Sequence, residues 1–223
     1  MKVPLTLRDH LDRAVTVYPQ RVAFVDEPQQ RAPAMADITY GQLGELAAAQ
    51  GAALDALGVG FGARVAVVSH NAARLGVLFF GVSCNGRIIV PINFRLSRDE
   101  IAYIVEHCGA DVLLVDPEIA DDLRDVPCRH RFVLGDESDE AMHLYGVEPR
   151  RWQLDEDATA SINYTSGTTA RPKGVEQTHR SLWLNSTVFG WQVGMSDRDV
   201  YLHTLPMFHC NGWGMPYATT AMG

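Results

Sequence analysis

The sequence predicts an α/β fold: alternating βα units, with mostly parallel sheets sandwiched by helices. Two observations carry this expectation. Short apolar runs rich in β-branched residues recur without in–out alternation, the pattern of strands covered on both faces. Between them lie longer segments with helical spacing and helix start signals. Such βαβ units join parallel strands through right-handed crossovers.

The elements follow in order. Val22–Val25 (VAFV) reads as a short strand. Thr39 to Leu57 reads as a helix: Thr39 and Gln42 have capping-box spacing, Leu43, Leu46, Leu54 and Leu57 share a face, and Gly58 stops it. Arg64–Ser69 (RVAVVS) is a buried strand, and Asn71 opens a helix carrying Leu75, Leu78, Phe79 and Val82. Ile88–Ile92 is the next strand. Ser97 and Glu100 form a second capping box, on a helix that ends near Gly109. Asp111–Val115 is a strand, Pro117–Arg124 a short helix and His130–Leu134 a strand. The stretch from Gly135 to Asp157 is acidic and aperiodic, and reads as a surface connection between two sheet regions. The pattern resumes with a strand at Ala160–Tyr164, a helix at Ser181–Trp191 and a strand at Val200–Leu205. Residues 1–157 are thus expected to form a first α/β subdomain, and 158–223 the start of a further part. The chain stops at Gly223 in an apolar run with no end signal, which reads as a cut within the fold.

Composition narrows the function classes. With 47% apolar and 21% charged residues in 223, disorder and collagen-like structure are excluded. Nineteen Lys+Arg against 27 Asp+Glu give a net charge of −8, which argues against nucleic acid or an anionic membrane as main partner. No apolar stretch approaches the length of a spanning helix, and Arg8 and Asp9 interrupt the amino terminus before any signal-peptide core. A cytoplasmic protein is expected. The four cysteines, at 84, 108, 128 and 210, form no C-x-x-C pair and read as reduced thiols. Only two of the 19 basic residues are lysine, Lys2 and Lys173.

The segment Ser161–Val175 (SINYTSGTTARPKGV) carries the chemistry. From Thr165 to Gly174, ten positions hold four hydroxyls, two glycines and Lys173. Hydroxyls and open backbone N–H groups donate to a polyphosphate without bulk, and one lysine adds a compact mobile cation. In a chain that otherwise uses arginine, Lys173 at this point singles the loop out. The competing reading is a solvated Ser/Thr/Gly linker. The loop is expected between a buried strand and a helix. It is not a Walker A loop, since five residues separate Gly167 from Lys173. Gly58, Gly60 and Ala63 fit G-x-G-x-x-A but follow a helix and precede a strand, the reverse of a dinucleotide fingerprint.

YTSGTTARPKG, from Tyr164 to Gly174, resembles the phosphate-binding signature of the acyl-adenylate-forming superfamily, the AMP-binding enzymes. Ile38–Val68, Gly81–Asp116 and Leu205–Gly214 (LPMFHCNGWG) are similar to further blocks of that family in the same order. The PINFRL and PMFHCNGW wording is most similar to the acyl-CoA synthetase, fatty-acid–CoA ligase branch. The resemblance implies the amino-terminal part of an adenylation domain and a two-step reaction: ATP activates a fatty or other hydrophobic carboxylate as an acyl-adenylate, then CoA takes the acyl group. It implies that Thr165, Ser166, Gly167, Thr168, Thr169 and Lys173 hold the phosphates of ATP, and that Thr165 also reaches Mg²⁺. Where the family usually has glycine, this chain has Ala170. If that position needs a positive φ, alanine costs about 1 kcal/mol or more.

His209 alone reads as structural; the resemblance instead places it beside the acyl site, as a catalytic candidate with Lys173. Phe208, Cys210 and Trp213 either line that pocket or pack in the core. The family's remaining adenine, ribose and Mg²⁺ contacts and its catalytic lysine lie downstream of these blocks, so the 223-residue chain alone is expected to be inactive. Three alternatives stay open: a non-catalytic fragment or pseudo-enzyme keeping only a phosphate loop, a ligase that loads acyl carrier protein, and a homo-oligomer.

Overall fold

The computed structural model describes residues 3–153, 155–165 and 171–223. Its centre is one six-stranded sheet in the order β6-β5-β3-β4-β7-β8, built from β3 (Arg64–Val68), β4 (Ile88–Ile92), β5 (Ala110–Val115), β6 (His130–Val133), β7 (Thr159–Thr165) and β8 (Lys173–Thr178). The first five run parallel and β8 is antiparallel to β7. A two-stranded ribbon of β1 (Val22–Phe24) and β2 (Ile38–Thr39) stands apart. The helices are α1 (Leu7–Val17), α2 (Tyr40–Ala56), α3 (Ala73–Ser83), α4 (Arg98–Cys108), α5 (Asp136–Met142), α6 (His179–Gln192), the short turn α7 (Cys210–Trp213) and α8 (Met215–Met222).

Alternate residues of the central strands feed two separate cores. Val65, Val67, Ile89, Val112 and Leu114 join a cluster with Leu7, Leu43, Leu54, Leu75 and Phe79 from α1, α2 and α3. Ala66, Val68, Val90, Ile92, Leu113 and Val115 face Ile101, Ile104 and Val105 of α4, with Leu123 and Val126. Both faces of β3, β4 and β5 are dry, so these strands carry no polar alternation. The capping boxes form as their spacing predicts: Thr39 accepts from Gln42 N–H, and Ser97 from Glu100 N–H. Gly109 ends α4 in the left-handed conformation that glycine adopts without a Cβ clash. Helices α2 and α3 approach closely because Gly81 faces Gln50; a methyl there would collide with that side chain.

Several expectations need correction. Pro117–Arg124 is a string of turns, with Ile119 N–H bonding Asp116 and Arg124 N–H bonding Asp121 three residues back; its Asp-rich sequence favours local turns over helix. The stretch 135–157 contains α5, started by Ser138 Oγ accepting the Gly135 N–H. It joins β6 to β7 within one sheet rather than linking two sheet regions, so strands from both sides of residue 157 share that sheet. Val200–Leu205 is not a strand: Val200 is 94% exposed and Leu202 80%. The side chain of Asn71 takes the backbone groups here, donating to the carbonyls of His203 and Leu205 and accepting from Met207 N–H. The amino-terminal α1 went unread, although Leu7, His10, Leu11 and Ala14 mark its buried face at helical spacing. Among the described residues, no helix is long and apolar enough to cross a membrane.

Two buried histidines fasten α1 to α6. His10 Nε2 lies 3.0 Å from Ser186 Oγ, and His179 Nδ1 accepts the Leu7 N–H at 3.4 Å. Burial pushes both imidazoles down to about 4. The unfolded chain therefore takes up protons below pH 6.5 that the folded chain refuses, so stability falls as pH drops from 6.5 to 4. The slope is on the order of 1.4 kcal/mol per pH unit for each histidine. Urea unfolding at pH 7 and pH 4.5 reads the loss directly, and His179→Gln is expected to flatten it; an unchanged slope in that variant contradicts the assignment. Gly81→Ala is expected to lower stability by about 1–3 kcal/mol through overpacking, checked by thermal unfolding.

Candidate functional site

Parallel strands place the carboxyl ends of β3, β4, β5 and β7 along one edge of the sheet, where open α/β sheets bind ligands. Ser69, His70 and Asn71 follow β3, Asn93 and Phe94 follow β4, Asp116 follows β5, and Thr165 ends β7.

Thr165 pairs in register with Lys173, the first residue of β8, and both are exposed. β7 and β8 therefore pair as the two arms of a β-hairpin. A helix was expected directly after the loop, but the chain first forms β8 and reaches α6 only at His179, which Thr178 caps by accepting the Ser181 N–H. The reason is visible in KGVEQT: charged Lys173 and Glu176 sit on an outer edge strand, and Glu176 accepts a cross-strand bond from Thr159 at 2.8 Å. Ser166, Gly167, Thr168, Thr169 and Ala170 lie outside the described residues, so their expected phosphate contacts, and the cost of Ala170, lie outside them too.

The hairpin mouth leans on α4. His107 Nδ1 is 2.7 Å from the Tyr164 hydroxyl, and the Arg171 guanidinium lies over the Tyr103 ring at 5.2 Å. Burial, then Cys108 and Tyr103 nearby, pushes the Tyr164 phenol above its ordinary range, so it stays protonated.

His209 is exposed and starts a turn of left-handed backbone. From Cys210 to Gly214, φ is 49°, 52°, 63°, 59° and 72°. L-residues pay roughly 1–2 kcal/mol each in that conformation. The buried Asn211 side chain holds it: its Oδ1 accepts from Ser161 Oγ at 3.0 Å and Asn163 Nδ2 at 3.3 Å, and its Nδ2 donates to Gln177 Oε1 at 2.9 Å. Asn163 also donates to the Phe208 carbonyl. One side chain thus clamps β7, β8 and the His209 turn together. Phe208 packs edge-on against Phe94 at 5.6 Å, and Phe94 lies against His70 at 3.9 Å. Cys210 and Trp213 are exposed, so neither is core packing.

Asn71 does not open the helix expected from it, since Ala72 is the N-cap of α3 and the Asn71 side chain bonds residues 203–207 instead. Sequence reading missed that role, and missed His107, Asn163 and Asn211. Asn211 had a signal, being a lone amide beside glycine in CNGW; the others had none at short range. It also missed the meeting of His70, Asp116 and Glu118, with His70 Nε2 3.3 Å from Glu118 Oε2. That is the one grouping of three His, Cys, Asp or Glu side chains among the described residues.

A family model described as AMP-binding enzyme matches residues 11–223, and the chain belongs to that family. It is 34% identical over 236 aligned positions to a long-chain-fatty-acid–CoA ligase of Thermus thermophilus, covering 100% of this chain and 43% of that relative. Its fold matches a long-chain-fatty-acid–CoA ligase from Archaeoglobus fulgidus with TM-score 0.88 at 24% identity, over 100% of this chain and 47% of that one. It also matches o-succinylbenzoate CoA synthetase of Bacillus subtilis, solved with its acyl-adenylate intermediate, with TM-score 0.80 at 25% identity, over 96% of this chain and 54% of that one. The chain thus spans less than half the length of the curated relative.

Asn211→Ala strips Ser161, Asn163 and Gln177 of a buried partner and leaves alanine at positive φ. A loss of about 2–4 kcal/mol is expected, read from the urea midpoint. A loss under about 0.5 kcal/mol contradicts the clamp.

Proposed function

We propose that this chain is the phosphate- and acyl-handling part of an ATP-dependent acyl-CoA ligase. The carrying observation is the register pair Thr165–Lys173, both exposed at the mouth of the β7–β8 hairpin, on the carboxyl edge of the sheet. An ammonium and a hydroxyl on adjacent strand ends fit the outer phosphates of a nucleotide. CoA as the acceptor rests on the CoA-ligase activities of the relatives, and a fatty or other hydrophobic carboxylate on the Thermus protein.

In the proposed reaction a carboxylate oxygen attacks the α-phosphorus of ATP and the bond to pyrophosphate breaks. Lys173 neutralises charge on the departing phosphates and Thr165 donates a hydrogen bond to them. Bound Mg²⁺ supplies further shielding of that charge, with the Thr165 hydroxyl as the group of this chain that would reach it. The thiol of CoA then attacks the acyl carbon and AMP leaves. His209, exposed beside β7, is assigned to the acyl carboxylate and the thiol path. Tyr164, held by His107, and Asn211, through Asn163, keep the hairpin and the His209 turn in fixed relation.

The longer gene product is expected to catalyse carboxylate-dependent ATP–pyrophosphate exchange; silence across short, long and aromatic acids contradicts the ligase reading. In that protein Lys173→Arg is expected to slow exchange on the order of tenfold, about 1.4 kcal/mol, because a planar fork follows a moving phosphate poorly. Wild-type rates in the variant make Lys173 a bystander. The 223-residue chain alone is expected to form no acyl-CoA; measurable turnover means the catalytic residues are wrongly placed.

A further inference from the structure

A second cleft opens at the opposite edge of the sheet, before the starts of β3 and β4, and encloses about 270 Å³. Its floor is Arg87, 5% exposed, which donates to the Val59 and Asn85 carbonyls and pairs with Asp55 at 2.5 Å. Burial raises the Asp55 carboxyl, but the Arg150 N–H and Arg87 outweigh it and leave its pKa below the ordinary value. Arg87 and Asp55 therefore cancel. Arg150 and Arg151 on the rim do not: both are exposed, and among the described residues neither side chain has a hydrogen-bond or ion-pair partner. The cleft holds a local charge of about +2 in a chain of net charge −8.

One wall is aromatic. Phe61, 60% exposed, tilts against Trp152 with ring centroids 5.1 Å apart, and Trp152 is fixed by its Nε1–H to the Cys84 carbonyl. The other is the Gly58–Gly60 turn, the stretch that mimics a dinucleotide fingerprint in sequence. Among the described residues the N–H groups of Gly60 and Phe61 make no bond, and nothing lies within 4 Å of where a Gly60 Cβ would stand. Two unpaired guanidinium forks, open N–H groups and a ring platform are the elements of a site for a phosphorylated ring. The volume lies just below the usual range of about 300–1,000 Å³, which suits one ring system with its phosphate rather than a whole coenzyme.

We propose that this cleft binds a nucleoside monophosphate, the phosphate between Arg150 and Arg151 and the base on Phe61. The site is separate from the hairpin mouth and does not rest on the ligase reading. Equilibrium dialysis of the 223-residue chain with uridine 5′-monophosphate tests it, with inorganic phosphate as the second probe. Uridine monophosphate is expected to bind more tightly than phosphate. Arg150→Ala/Arg151→Ala is expected to weaken it at least tenfold, and Phe61→Ala by about tenfold, in line with stacking of a base on one aromatic ring. Arg98→Ala/Arg124→Ala, which removes the same charge from exposed helix and turn positions, is expected to leave it unchanged. The proposal is overturned if the nucleotide does not bind at millimolar concentration, if it binds no better than phosphate, or if both double variants weaken it equally.

Discussion

The central parallel strands β3, β4 and β5, buried on both faces, leave no room for chemistry between them. Val65 and Val67 face one core while Ala66 and Val68 face the other, and β4 and β5 repeat the pattern. Polar side chains therefore collect at strand ends and connections, apart from Ser161 and Asn163 within β7, which bond Asn211. At the carboxyl edge this gathers His70, Asn71, Phe94, Asp116 and Thr165 from four strands far apart in sequence. The sheet acts as a rigid ruler, and the hairpin at its side carries the exposed Thr165 hydroxyl and Lys173 ammonium.

Asn211 converts that ruler into a site. The turn from Cys210 to Gly214 is held in a left-handed backbone that isolated L-residues avoid. Three hydrogen bonds from one buried amide to β7 and β8 offset the strain. Strained backbone of this kind persists only where its surroundings over-determine it, and it often marks a functional position. Here it sets the His209 turn beside β7. The same amide chemistry recurs at Asn71, which fixes residues 203–207 without any strand pairing.

The parallel strands and the capped helices were legible because their signals are local: continuous apolar runs, Thr39 with Gln42, Ser97 with Glu100, glycine after a helix. Val200–Leu205 misled because a strand-like composition says nothing about whether a partner strand exists, and Asn71 takes the pairing instead. The helix expected after Lys173 failed for a related reason: KGVEQT has the charges of an edge strand, and its partner β7 lies on the far side of the loop. Of the candidate site, Thr165 and Lys173 stood out as residue types in a motif, and the β7–β8 register sets them side by side at the strand ends. Asn211 and His107 act through contacts across 34 to 57 positions, which no short-range pattern reports.

The central claim is that Lys173 at the hairpin mouth meets a polyphosphate, and the scarcity of lysine makes this directly observable. Reductive methylation with ¹³C-formaldehyde labels Lys2, Lys173 and the amino terminus while keeping their charge. Titration with Mg-ATP or tripolyphosphate, followed by NMR, is predicted to shift the Lys173 methyl resonance saturably and leave Lys2 in place. A Lys173 signal that stays fixed, or that moves only in step with Lys2, would contradict the account.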